Sequence, residues 1–238
     1  MSARPRATRV AHAYGNSRQS LARALNTDID MIEVDVWFEG RNFRIGHERR
    51  VGRLPLLYDS VIVGHAPGPF AIRLGGHFVR PDIRPFQLTD LLRIVAGRKH
   101  LLLDVKGQHN FQNARHFASV LIRCIDEGNA SAWVTVCGQT YSVLDALREQ
   151  TAPFPIRYSM ERPHQWDGFV DRMREDDSVR AVCIQHKLLS EQRLGSARDA
   201  EVNLFCWTVD DPAVATRLID SGVHGIISND LALLAALA

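Results

Sequence analysis

The chain is poor in several features that would have settled its class at once. Long apolar runs are missing: 45% of its 238 residues are hydrophobic, yet no stretch approaches the ~20 residues that a membrane-spanning helix needs. The opening segment, MSARPRATRV, carries arginines without the apolar core of a secretory signal, so the expectation is a soluble, cytoplasmic protein. Excess charge of one sign is missing too. The 29 Lys and Arg against 27 Asp and Glu leave +2, with no long basic run interleaved with aromatics, and nucleic acid is not expected as a partner. Cysteine is scarce. Cys124, Cys137, Cys183 and Cys206 are far apart, form no CxxC, and read as small buried hydrophobes rather than as a disulfide or metal set. No GxGxxG follows the first apolar run, which argues against a dinucleotide fold.

What the chain does have is alternation. Short apolar runs with a strand pattern fall at residues 9–12, 31–38, 100–106, 132–137, 156–160, 181–185, 204–209 and 225–228. Between and after them, helical spacing recurs at 19–25, 88–95, 111–126, 141–150, 166–174, 191–197, 213–221 and 231–237. Eight strand–helix units favour a parallel sheet closed into a (β/α)8 (TIM) barrel over an open doubly wound sheet, with residues 1–238 as a single α/β domain. A short extension at 43–47 returns toward the same end. In residues 48–85, Gly, Pro and His interrupt every apolar run; no element is assigned there, and the segment is a candidate lid or substrate wall, whose residues 54–85 could turn an apolar surface toward lipid.

The chemistry centres on MIEVDVW at residues 31–37. Glu33 and Asp35 are two residues apart and share one face of a strand. Two acids on a largely buried strand repel and are costly to desolvate, so a positive charge is expected between them. Alternating acids on a solvated face would need no metal, but the neighbouring runs end in reactive groups as well. His12 closes the first run, His47 the short extension, and Asp104 with Lys106 the third strand, and barrel active sites lie where strands give out. Glu33, Asp35 and Asp104 would offer an all-oxygen ligand set, which suits Mg2+ or Ca2+ better than Zn2+. Lys106 shares the face of Asp104 and would meet a phosphate, or pair with one of the acids. His12 and His47 make a candidate acid and base pair. The other eight histidines, among them His65, His77, His164 and His186, read as structural or solvent-exposed. Arg41, Arg44, Arg49, Arg50 and Arg53 surround His47 either as solvated loop charges or as receivers of an anionic group.

These segments together resemble the glycerophosphodiester phosphodiesterase family, with its sphingomyelinase D relatives. VAH at 10–12 is similar to the family's opening strand and first catalytic histidine, IEVDV at 32–36 to its metal motif, and His47 of GHE to its second histidine. LLLDVK at 101–106 resembles its acid-and-lysine strand, and FCWTVDD at 205–211 with GVHGIISND at 222–230 its closing stretch. The resemblance implies a barrel enzyme that cleaves phosphodiesters with one divalent cation, two histidines as acid and base, a lysine on the phosphate, and Trp207 lining the pocket. It also implies internal attack through a cyclic phosphate. Three departures stand out: the family's HRG is His12, Ala13 and Tyr14 here, its HD is His47 and Glu48, and its EIK is Asp104, Val105 and Lys106. The first removes the arginine expected on the phosphate, while the other two keep charge. Ala13 and the DVK pattern are closer to the sphingomyelinase D branch, without that branch's cysteine-bearing loop or its tail. The expected function is metal-dependent cleavage of glycerophosphodiesters or related lysophospholipids; the alternative is a barrel that binds a phosphorylated ligand without cleaving it.

Overall fold

The structure, a computed structural model, describes residues 6–46, 57–60, 72–74, 77–80, 86–107 and 111–237. Its strands are β1 (Thr8–Ala11), β2 (Met31–Phe38), β3 (Phe43–Ile45), β4 (Leu57–Ser60), β5 (Ile72–Leu74), β6 (His77–Arg80), β7 (His100–Lys106), β8 (Val134–Gly138), β9 (Ile156–Met160), β10 (Ala181–Gln185), β11 (Asn203–Trp207) and β12 (Gly225–Ser228). Its helices are α1 (Arg18–Leu25), α2 (Leu88–Val95), α3 (Phe111–Glu127), α4 (Tyr141–Glu149), α5 (Pro163–Glu175), α6 (Glu191–Asp199), α7 (Pro212–Asp220) and α8 (Leu231–Ala236).

Eight of the strands pair in parallel in the order β1, β12, β11, β10, β9, β8, β7 and β2, and the β1–β2 pairing closes the ring, so the expected (β/α)8 barrel is the observed fold. Strand β3 adds to β2 antiparallel at the rim, with Trp37 opposite Arg44. Residues 48–85 depart from the expectation of no regular structure. Strands β4, β5 and β6 lie there as a separate antiparallel sheet in the order β4, β6, β5, each too short for its alternation to emerge between the Gly and Pro breaks.

Among the described residues, two cores hold the barrel. Outward-facing strand residues such as Ile32, Val34, Leu103, Val136 and Ile184 are buried against the helices. Inside the ring, Val10, Met31, Leu102, Cys137, Cys183, Phe205 and Ile227 form a second cluster, with Trp207 packed above it. Strand residues therefore read as continuous apolar runs because both faces are buried. The cysteines behave as small hydrophobes, and all four are free thiols. Polar capping sets several helix starts. The Ser17 side chain accepts from Ser20 N–H before α1, Asp211 from Ala213 and Val214 before α7, and Asp230 from Ala232 and Leu233 before α8. Helix α5 starts at Pro163, three residues ahead of the apolar periodicity, because proline suits the first helical position while the exposed His164 hides the pattern. Among the described residues, no helix is long and apolar enough to cross a membrane.

The interior is filled tightly around Phe205. A Cβ on Gly225 would sit 2.5 to 2.7 Å from atoms of the Phe205 ring, and the Arg157 guanidinium lies 3.6 Å from the ring centroid. Gly225→Ala is therefore expected to destabilise the fold by roughly 1–3 kcal/mol through overpacking. A lowered urea midpoint at unchanged m-value checks this, and an unchanged midpoint would show that the ring has room to move.

Candidate active site

The parallel register between β2 and β7 assembles the site. Asp35 pairs with Asp104 and Trp37 with Lys106, while Glu33 sits one inward position below Asp35. One carboxylate oxygen from each of Glu33, Asp35 and Asp104 lies within 4.8 Å of the others. Glu33 and Asp35 are buried and Asp104 is half-buried. Lys106 Nζ stands 2.7 Å from Asp35 Oδ1 and also donates to Asp104 Oδ2. The sequence-expected lysine is thus on the acids and at the mouth together.

The turn after β1 supplies the remaining support. Ala13 takes a left-handed conformation at φ 59°, and its N–H donates to Glu33 Oε2 at 2.5 Å. A residue with a side chain holds this conformation at some cost, repaid here by a charge-assisted hydrogen bond. Three residues on, Asn16 grips Asp35 twice: its Nδ2 donates to Asp35 Oδ2 at 2.5 Å and its Oδ1 accepts from Asp35 N at 2.9 Å. Asn16 escaped sequence reasoning because a lone asparagine after a glycine reads as a turn residue.

Burial is the first cause that pushes the Glu33 carboxyl well above its usual range, and the Asp35 charge adds to it. Asp104 is raised by burial too, with Lys106 working against the rise. Lys106 itself is desolvated, yet Asp104, Asp35 and Glu33 outweigh that and hold its ammonium well above the ordinary lysine value. Among the described residues, one ammonium faces three acids, fewer positive charges than the fully ionised cluster carries negative ones. Asp104 Oδ1 is buried and finds no hydrogen-bond partner among the described residues. A hard divalent cation fits this donor set, through Glu33, Asp35 and Asp104.

His12 stands at the end of β1 on the same mouth, near enough for its charge to act on Asp104. Its Nδ1 lies 2.8 Å from Asn229 Oδ1, and Asn229 Nδ2 donates to Asp210 Oδ2 at 2.8 Å. With the amide nitrogen committed to a carboxylate, the amide oxygen faces the ring and can only accept. His12 Nδ1 therefore carries the proton, leaving Nε2 as the acceptor nitrogen of the neutral ring. Asp210 also accepts from Asn229 N at 2.8 Å and Ser228 Oγ at 2.7 Å, which fixes the whole turn. Asn229 and Asp210 were not singled out from the sequence. Trp207 caps the interior core, half-buried, and its Nε1 has no hydrogen-bond partner among the described residues.

His47, Glu48, Arg49, Arg50 and Arg53 lie outside the described residues. Of the remaining arginines of that cluster, Arg41 is exposed, while Arg44 is a correction to the reading of solvated charges. It is 2% exposed and pairs with Glu39 at 3.1 Å, because strand β3 carries it against the Trp37 ring rather than into solvent.

The family model of the glycerophosphoryl diester phosphodiesterase family matches residues 106–233. The match begins at Lys106, so His12, Glu33, Asp35 and Asp104 precede it. No curated protein matches the chain. Among solved structures, an Oleispira antarctica phosphodiesterase in complex with the product sn-glycerol-3-phosphate superposes with a TM-score of 0.73 at 14% identity, over 98% of this chain and 96% of that one. A glycerophosphodiester phosphodiesterase from Thermotoga maritima gives 0.71 at 15% identity, over 99% and 100% of the two chains. One from Parabacteroides distasonis gives 0.71 at 13% identity, over 98% of each. At these identities the likeness is one of fold.

The raised carboxyl values set a sign for pH dependence. A folded-state value above the unfolded one means that the metal-free protein keeps these protons longer than the unfolded chain does. The resulting stability is full below the ordinary carboxyl range and fades as pH rises through the folded values. Metal-free protein is thus expected to lose thermal stability on going from about pH 4 toward neutrality, and Glu33→Gln to flatten that fall. Mg2+ or Ca2+ should raise the melting temperature more near neutrality than at acid pH. Calorimetric scans across pH check both, and a metal-free profile that rises toward neutrality in step with the Glu33→Gln variant contradicts them.

Proposed function

The chain belongs to the glycerophosphoryl diester phosphodiesterase family and is a phosphoric diester hydrolase, and we propose that it cleaves glycerophosphodiesters or related lysophospholipids with one divalent cation and two histidines. The observation that carries this reading is the convergence of three carboxylates, Lys106 and His12 on one barrel mouth. Glu33, Asp35 and Asp104 would hold Mg2+ or Ca2+, and the ion would polarise the phosphoryl oxygens and offset the charge that builds on them.

The chain's own groups divide the remaining work. Lys106 presents its ammonium to the phosphate from the same mouth, a role the missing arginine at Ala13 leaves largely to it. His12, with its proton held on Nδ1 by Asn229, has Nε2 to accept a proton from the attacking hydroxyl, which makes it the general base. That hydroxyl belongs to water or to the substrate itself, in which case the first product is a cyclic phosphate. As the new P–O bond forms, His47 gives a proton to the departing alcohol. Trp207 lines the floor beside the interior core. The product complex of the Oleispira antarctica phosphodiesterase supports glycerol phosphate as one half of the substrate.

Incubation with Mg2+ or Ca2+ and a panel of glycerophosphodiesters and lysophospholipids is expected to release alcohol, with phosphorus NMR distinguishing a cyclic from an open phosphate. A thermal shift without product would mean a binding protein instead. His12→Ala and His47→Ala are each expected to lower turnover by ~10²- to 10⁴-fold at an unchanged urea midpoint. Chelation should abolish turnover, and activity indifferent to chelator would remove the cation from the reaction.

A further inference from the structure

Next to the carboxylate cluster the barrel mouth opens into a cleft of about 480 Å3, walled in part by Trp37, Lys106, Gln139, Thr140, Glu161 and Arg162. Asp104 lines it as well, so the cleft reaches the edge of the cluster. Among its described lining residues only Trp37 and Val105 have apolar side chains. Such a lining suits a polar group and not an acyl chain.

The wall formed by the turn between β9 and α5 is held still. Gln165 Oε1 accepts from the N–H groups of both Glu161, at 2.9 Å, and Arg162, at 2.8 Å. The Tyr141 hydroxyl donates to Gln165 O at 3.2 Å, and Arg193 Nη2 to Pro163 O at 3.3 Å. On this fixed turn two opposite charges stand side by side, with Arg162 Nε 3.7 Å from Glu161 Oε1 and the side chains 68% and 39% exposed. An exposed pair at that distance is weakly bound to itself and pays little to turn toward a ligand. The fixed backbone beneath the two side chains lowers the ordering cost of binding a ligand with complementary charges. An α-amino acid group has that complement, an ammonium and a carboxylate one carbon apart.

Building on the proposed hydrolysis, we infer that this cleft receives the alcohol half of the diester and selects an alcohol bearing an ammonium–carboxylate pair, Glu161 meeting the ammonium and Arg162 the carboxylate. The scissile phosphate then lies over Lys106, at the inner end of the same cleft, and the glycerol half is directed toward His12 and the β1 side.

Glycerophosphoserine, glycerophosphoethanolamine and glycerophosphoglycerol test this in the presence of Mg2+. KM is measured with the unaltered enzyme, and Kd by calorimetry on His12→Ala so that binding is read without turnover. The serine diester is expected to bind roughly ten-fold more tightly than the ethanolamine diester, the effect of one partly exposed charge-assisted hydrogen bond, and the ethanolamine diester more tightly than the glycerol diester. Arg162→Gln should erase its advantage over the ethanolamine diester, Glu161→Gln should weaken both amines, and the glycerol diester should be unaffected by either. Equal constants for the three diesters, or an equal loss for all three in Arg162→Gln, overturn the assignment. Turnover without discrimination removes the cleft's role and leaves the hydrolysis standing. Discrimination in binding without turnover of any diester removes the hydrolysis and leaves the cleft. Failure of all three to bind removes both.

Discussion

Repulsion among three carboxylates, confined within 4.8 Å at the end of two parallel strands, is the constraint on which the site depends. Water would screen such a cluster, but Glu33 and Asp35 are 3% and 0% exposed. Among the described residues, the protein answers locally with one ammonium from Lys106, one N–H from Ala13 and one amide from Asn16. That is enough to orient the acids and too little to neutralise them. The acid excess among the described residues is what gives the proposed cation its place, and burial, with the neighbouring acids adding to it, displaces the Glu33 and Asp104 carboxyls upward.

The barrel provides rigidity where this imbalance has to be tolerated. Apolar side chains fill both sides of the ring, so the inward-facing acids cannot relax by retreating into the wall. The first and last strands pair, which brings His12 beside Asn229 across 217 positions of sequence. At the opposite end of β1, Arg9 is 1% exposed and bonded to Asp30, fixing the strand against the segment that leads into β2. Histidine and carboxylates therefore face one another because strand closure fixes them there.

Much of this was legible in the chain itself. A strand's two-residue period put Glu33 with Asp35 and Asp104 with Lys106 on common faces, and the alternation of runs counted out the eight barrel strands that the structure contains. Strand β2, helix α2 and strand β7 keep their expected bounds because the outward face of each strand, and a full face of the helix, are apolar. The supporting residues were not legible. Asn16, Asn229 and Asp210 are small polar residues in turns, and their roles arise when distant segments meet, a fact that no local pattern encodes. Arg44 misled for the same reason: in sequence it groups with Arg41, Arg49, Arg50 and Arg53, whereas its neighbours in space are Trp37 and Glu39. The strands β4, β5 and β6 of the 48–85 segment are held by pairing with one another, which short interrupted runs do not reveal.

The most direct measurement of the central claim is an anomalous-scattering map from crystals soaked in Mn2+, an oxygen-seeking ion that can replace Mg2+ or Ca2+. The account predicts one peak, ligated by Glu33, Asp35 and Asp104. A map with no ion among these three carboxylates at saturating Mn2+, while Lys106 stays locked on Asp35 and Asp104, would contradict it.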